Sequence, residues 1–230
     1  MITAVGPAGI ELDRTVFYPM GGGQPGDTGT LRCADGRALT VVDTRKGPGD
    51  GQILHIAAAG DALPAVGEKV TAILDWERRY RHMRMHTCLH LLCAAVPAGV
   101  TGGQIGEARS RLDFDVGELT LDKAVIEAKL NELIAANHPA APRWITDEDL
   151  AAQPQLVRTM SVKPPTGHGR VQLLEIGAGA GPQGPIDLQP CGGTHVRATG
   201  EIGAVTVEKI ENKGKRNRRV IVALRDEMPG

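Results

Sequence analysis

Apolar positions along the chain fall into two regimes. Up to about residue 75 they come in short runs with partial alternation, at 10–13, 28–33, 39–43, 52–57 and 69–75. A period of two is the mark of a half-buried strand. Gly, Pro and Asp separate the runs, as in Ala34-Asp35-Gly36, and such residues favour turns. Several short strands at this spacing predict a small β-barrel. Beyond that point the period changes. A leucine-rich helix is predicted over 77–95, ending before Pro97. A second is predicted over 119–137, where Ile126, Leu130, Leu133 and Ile134 follow helical spacing and Asn137 and Pro139 mark the end. Strands are predicted at 110–114, 143–145 and 171–176, and Thr146-Asp147-Glu148-Asp149 has the form of an N-cap with an acidic first turn. Alternating valines and isoleucines in 203–210 and 218–224 predict a hairpin with its turn at 211–217. The expected architecture is α+β: a small N-terminal β-barrel over residues 1–75, then an α+β domain over 76–230.

Composition narrows this picture. At 230 residues the chain suffices for one large domain or two small ones. Aromatic residues are only 3%, so the core must be built from Val, Leu, Ile and Ala. Four cysteines, Cys33, Cys88, Cys93 and Cys191, occur without a disulfide-like framework, which fits a reducing, cytoplasmic setting. No secretory signal pattern is present, and no apolar run approaches the ~20 residues needed to span a bilayer. No membrane partner is therefore expected.

Net charge is −1, which does not by itself announce a nucleic-acid partner. The local distribution says more. Arg78, Arg79, Arg81 and Arg84 cluster at the start of the first helix, partly offset by Asp75 and Glu77. Lys209, Lys213, Lys215, Arg216, Arg218 and Arg219 gather on the hairpin. Either group suits the phosphate backbone of a nucleic acid; a merely solvated surface is the alternative.

Two short motifs carry the chemistry. His86 and His90 lie four apart on the first helix, so both imidazoles share one face, one turn apart. Cys191 and His195 flank Gly-Gly-Thr, whose glycines permit a tight turn that aims both side chains at one point. Brought together, three nitrogens and a sulfur suit Zn2+ in a tetrahedral site. His82 extends the histidine row by another turn, but helical drift of about 100° per residue keeps three such residues from converging on one ion. The segment Met20 to Gly29 is rich in glycine, which lets backbone N–H groups approach a ligand closely; no Lys follows it, so it is not a phosphate loop of the Gly-Lys-Ser type. A flexible hairpin tip is the alternative. A Pro/Gly-rich segment, 161–169, contains Lys163 and His168.

His-x-x-x-His followed at a distance by Cys-Gly-Gly-Thr-His resembles the editing domain of alanyl-tRNA synthetase, and more closely the free-standing alanyl-tRNA editing proteins, the AlaX family. YPMGGGQPGDTG at 18–29 and DWERRYRHMR at 75–84 share the resemblance. It implies a trans-editing hydrolase that deacylates mischarged tRNA(Ala), with serine or glycine as the amino acid removed and Zn2+ held by His86, His90, Cys191 and His195. It implies that the glycine-rich loop faces the zinc and, through Gly22, Gly23, Gln24 and Thr28, helps to bind the aminoacyl-adenosine end. Thr87 and Gln104 are further expected substrate-side polar groups. Arg78, Arg79, Arg81, Arg84, Lys213, Lys215, Arg216, Arg218 and Arg219 are the expected tRNA contacts. The family pattern has a basic residue where this chain has Gln172.

Other readings stay open at this level. Thr87 stands where a zincin would carry its glutamate base, which disfavours a metalloprotease. Cys191 could instead be the nucleophile of a Cys-His hydrolase. A non-catalytic, zinc-stabilised tRNA-binding or synthetase-associated module is the non-enzyme alternative. No general acid or base is legible apart from a zinc-site water, and four protein donors would close the position a catalytic zinc keeps open.

Overall fold

The computed structural model describes residues 1–159, 169–179 and 184–225; Lys163 and His168 lie outside them. The fold is mixed α and β, mostly strands, and the chain divides into two compact units, Met1–Tyr80 and Arg81–Gly230.

In the first unit, β1 (Ile2–Gly6), β2 (Gly9–Leu12), β3 (Gly29–Cys33), β4 (Ala38–Lys46), β5 (Ile53–Ala57) and β6 (Val70–Leu74) form one sheet in the order β1-β2-β5-β4-β3-β6. Its neighbours all pair antiparallel. Alternate positions turn inward, and Ile2, Ile10, Phe17, Leu31, Leu39 and Val41 make the core. The expected barrel is corrected here: the sheet is open, because no ladder joins β1 to β6. Pairing at that seam stops at two backbone hydrogen bonds, Ile2 N to Glu68 O and Gly67 N to Ile2 O, both 2.9 Å. Gly67 then turns at φ 87°, and β6 enters the ladder on β3 alone.

Among the described residues, the second unit contains two sheets, two α-helices and most of a third. Helix α1 (Trp76–Ala95) begins at the end of the first unit and runs into the second. Every residue from Met85 to Cys93 on it is buried, as expected for a helix apolar on nearly all sides. Then come β7 (Gly99–Gln104), β8 (Arg109–Asp115), α2 (Lys123–Ala135), β9 (Ala140–Thr146), α3 (Asp147–Ala152), β10 (Arg170–Ile176), β11 (Asp187–Pro190), β12 (Val205–Asn212) and β13 (Asn217–Leu224). Helix α2 starts later than its apolar pattern predicts because Asp122 caps it, accepting from the N–H groups of Ala124 and Val125 at 2.8 and 3.1 Å. A reciprocal capping box between Thr146 and Asp149 opens α3.

One sheet has the order β12-β13-β8-β7, the other β11-β10-β9. In the three-stranded sheet, Val171 and Leu173 face Leu150 and Leu156 in a small core. Alternation then sends Arg170, Gln172 and Leu174 to the opposite face. Strand β11 continues that face with Asp187 and Gln189, and both are buried.

Candidate metal centre

His86 and His90 project from one face of α1; Cys191 and His195 lie in the loop that leaves β11. The two motifs meet. One potential ligand atom from each of the four residues lies within 4.8 Å of all the others. Cys191 Sγ is 3.5 Å from His86 Nε2 and 3.2 Å from His195 Nε2. The imidazole of His195 stands 4.3 Å from that of His86 and 5.1 Å from that of His90, centroid to centroid. His82 is buried on α1 but outside this group.

The surroundings orient the rings. His90 Nδ1 donates to Asp187 Oδ2 at 2.8 Å, which leaves Nε2 for the centre. Asp187 is held in turn by Gln189 Nε2, which donates to Oδ1 at 2.6 Å. Thr87 Oγ1 donates to Met83 O at 2.9 Å, so its lone pairs accept from His195 Nδ1 at 3.2 Å and from Val196 N at 3.3 Å. That fixes the His195 tautomer with Nε2 inward. Gln172 grips the backbone of Cys191 from both sides: its carbonyl accepts from Cys191 N at 3.0 Å, and its Nε2 donates to Cys191 O at 3.1 Å.

Protonation states follow. Burial opposes a Cys191 thiolate, yet the positive charge of His86 and hydrogen bonds from three histidines outweigh it and hold the thiol well below its usual pKa. Burial and the charge of His86 push His195 down to about 3. For His90, burial opposes the charge, but hydrogen bonds to Asp187 and Cys191 prevail and raise its pKa. The Cys191 thiolate is the form a metal requires, whereas the imidazoles must give up their inward protons when one binds; His90 and His195 are held for it through their far nitrogens. The four residues therefore fit Zn2+ in kind and number. Cys33, Asp35 and Glu68 form a second convergent group, but Arg37 bridges both of its carboxylates, at 2.6 and 2.7 Å.

Asp187, Gln189 and the part played by Gln172 escaped the sequence reading. Their signal was the alternation Asp187, Gln189, Cys191, which places all three on one face of an extended strand. Thr87 is fully buried, and its hydroxyl is engaged by Met83 O, His195 Nδ1 and Val196 N. In this arrangement it orients His195. Gln104 is exposed at the end of β7 and accepts from Arg111 Nε at 3.3 Å.

The glycine-rich loop belongs to the first unit. It is a built turn, tied by reciprocal backbone bonds between Gly21 and Gln24 at 3.1 and 2.9 Å and by Tyr18 OH donating to Gly21 O at 3.0 Å. Gly22 and Gly23 are exposed at φ 58° and 84°. Gln24 is buried, and Thr28 Oγ1 donates to Asp75 at 3.4 Å.

Two expected phosphate contacts are engaged elsewhere. Arg79 Nε lies 2.9 Å from both oxygens of Asp27, a carboxylate only 1% exposed, and a guanidinium NH2 donates to Val16 O at 3.0 Å. Arg219 clasps Asp113 through Nε and NH2 at 2.7 and 2.9 Å. Of the others, Arg78 donates to Gly26 O at 2.8 Å and Arg84 to Ile202 O at 2.8 Å, while Arg81 is half-buried. Lys213 pairs with Glu211 and Arg216 with Asp115, at 2.9 and 3.1 Å. Arg218 donates to the carbonyls of Gly214 and Asn217, and Lys215 is exposed at the hairpin tip.

Comparison with known proteins points the same way as the motifs. Residues 171–221 match the threonyl and alanyl tRNA synthetase second additional domain, and residues 2–78 match tRNA synthetases class II (A). The alanyl-tRNA editing protein AlaX-M of Methanosarcina acetivorans is 38% identical over 227 residues, 94% of this chain and 89% of that protein. The AlaX-M of Saccharolobus solfataricus is 36% identical over 92% of this chain and 86% of its own length. An alanine–tRNA ligase of Pyrobaculum neutrophilum is 33% identical over 88% of this chain, which corresponds to 22% of the ligase.

Proposed function

This chain belongs to the free-standing alanyl-tRNA editing proteins, the AlaX family, and from that premise we propose that it deacylates tRNA(Ala) charged with the wrong amino acid. The reaction is hydrolysis of the ester between the amino acid and the terminal ribose. The observation that carries the reading is the convergence of His86, His90, Cys191 and His195 within 4.8 Å, in a chain 38% identical to an editing protein over nearly its whole length.

These four residues would hold Zn2+. When bound, the ion would act as a Lewis acid or lower the pKa of water. The rest is the protein's own work. Asp187 and Thr87 hold the imidazoles of His90 and His195 so that Nε2 faces inward. Gln172 holds Cys191 by its backbone, and Cys191 and His195 are only partly buried, which leaves the water that hydrolysis consumes a way in. The glycine-rich loop of residues 1–75 binds the aminoacyl-adenosine end through Gly22, Gly23, Gln24 and Thr28, while residues 76–230 carry the hydrolytic centre. Serine is the preferred amino acid to be removed, glycine a second, and alanine is spared. A hydrogen bond to the side-chain hydroxyl would separate serine from alanine; glycine also lacks that hydroxyl and is carried as a second substrate by the family likeness alone. The setting of the reaction is the cytoplasm.

A second reading has one observation in its favour. Four protein donors complete a tetrahedral set, the mark of a structural zinc, and such a metal would stabilise a tRNA-binding module without reacting. One experiment separates the two: incubation with Ser-tRNA(Ala), Gly-tRNA(Ala) and Ala-tRNA(Ala), with elemental analysis of the same preparation. Loss of the Ser and Gly esters, with Ala-tRNA(Ala) intact and one zinc per chain, is expected. Zinc without deacylation would establish the binding module, and equal loss of all three esters would overturn the selectivity.

A further inference from the structure

The three-stranded sheet carries its face past the metal centre. Cα partners across it are Gln172 and Trp144, and one residue further along β10, Leu173 pairs with Pro190. Gln172 is therefore opposite Cys191, as the bonds between their backbones require. Trp144, Gln172 and Cys191 form a single cross-strand row. Directly opposed residues point to the same face, so Trp144 stands on the face of Cys191, two strand spacings away, roughly 10 Å.

Trp144 is an unusual residue to find there. Only two tryptophans occur in the chain, and this one is 51% exposed on β9, the outer strand of its sheet. Arg170, itself exposed, lies with its guanidinium carbon 4.6 Å from the ring centroid. A cation over an indole stabilises by about 0.5–1 kcal/mol at an exposed site, and half of the side chain stays in solvent despite that cover. A flat aromatic surface with an adjacent guanidinium is the pairing that holds unpaired bases: the ring stacks on any base, and the cation meets the phosphate.

We propose that Trp144 and Arg170 form a stacking platform for an unpaired nucleobase at the single-stranded 3′ end of the RNA substrate. The proposal rests on the editing reading for the identity of that RNA. It gives the sheet two tasks on one face, with Cys191 and Gln172 at the hydrolytic centre, Trp144 one strand beyond on β9 and Arg170 two residues before Gln172 on β10, where the nucleotides preceding the esterified ribose would run. Charge complementarity favours RNA, since the charged group lying over the ring is the Arg170 cation.

The test uses the full chain with Trp76→Phe, which leaves Trp144 as the only tryptophan. Its fluorescence is titrated with a short single-stranded RNA ending in CCA and with a duplex RNA of equal length. Saturable quenching by the single strand and little by the duplex is expected. In the otherwise unaltered chain, Trp144→Ala raises KM for Ser-tRNA(Ala) about 5- to 150-fold, the reach of one stacked base. It leaves kcat and zinc content within twofold. Trp144→Phe restores most of the loss, and Arg170→Ala lies between. An unchanged KM in Trp144→Ala, or no quenching by the single strand, overturns the platform. So does a dimer that Trp144→Ala converts to monomer at constant KM, since the strand edge would then serve a second copy. Quenching without any deacylation by the unaltered chain leaves the platform standing and removes the editing reading; deacylation without quenching does the reverse.

Discussion

Asp187 accepts a hydrogen bond from His90 Nδ1 at 2.8 Å and is itself held at 2.6 Å by Gln189. This bond decides which nitrogen of His90 faces Cys191, and it spans 97 residues of sequence. Ligand-orienting partners of this kind affect metal affinity by about 10- to 100-fold. Asp187→Ala should therefore lower zinc affinity by that factor, measured by competition with a chelator, while the isosteric Asp187→Asn loses less.

Thr87 offers a sharper contrast. Thr87→Ser keeps the hydroxyl that joins Met83, His195 and Val196, and thermal stability should stay close to that of the parent. Thr87→Val leaves His195 Nδ1 and Val196 N without that acceptor in the interior, at a cost of about 1–3 kcal/mol. Denaturant unfolding of the two variants measures the difference.

Arg79 and Asp27 make a buried pair in the first unit. Removing one partner strands the other charge, which costs about 3–5 kcal/mol. Arg79→Ala should destabilise the chain by that amount at any ionic strength. A phosphate-binding role would instead show as a salt-dependent loss of tRNA affinity with normal stability.

The hairpin divides in the same way. Arg219 is clasped by Asp113, and Glu211 binds both Lys209 and Lys213, at 2.8 and 2.9 Å. Lys215 and Arg218 have no carboxylate partner among the described residues. Lys215→Ala with Arg218→Ala should reduce the slope of log affinity for tRNA against log salt by about one for each phosphate no longer neutralised. Arg219→Ala should leave that slope unchanged and lower the melting temperature.

His55 sets a pH limit on the first unit. It is fully buried, with Nδ1 on Ile10 O at 2.9 Å and Nε2 on Thr15 Oγ1 at 2.8 Å. Burial holds its pKa below 6.5. The unfolded chain therefore binds the proton first, and stability falls as pH drops below about 6.5. Above that value His55 is neutral in both states and contributes no slope. Melting temperature should decline between pH 7 and 5, and the decline should shrink in His55→Gln.

Much of this was legible in the residues themselves. The limits of α1 follow from its leucine-rich pattern and Pro97, and the hairpin of β12 and β13 from alternating valines. The four convergent residues were visible as two motifs of types that suit zinc. Other features were hidden for physical reasons. β1 is a strand of five residues, too short and too mixed in character to announce itself. The ring orienters Asp187 and Thr87 look like ordinary polar residues until the chain brings distant partners to them. Whether a sheet closes depends on its last seam, at Ile2 and Glu68, which no local period reports. The ion pairs of Arg79 and Arg219 were not legible, because proximity in sequence says nothing of the carboxylates of Asp27 and Asp113, 52 and 106 residues away.

The alternation of Asp187, Gln189 and Cys191 ties coordination chemistry to the counting of residues. A strand slipped by one position turns every side chain to the other face. Deleting Leu188 would leave every donor in the chain and every other strand intact. It would nonetheless put Asp187 out of phase with Cys191, so that only one of them could face α1. Insertions and deletions in β11 should thus be tolerated only in pairs.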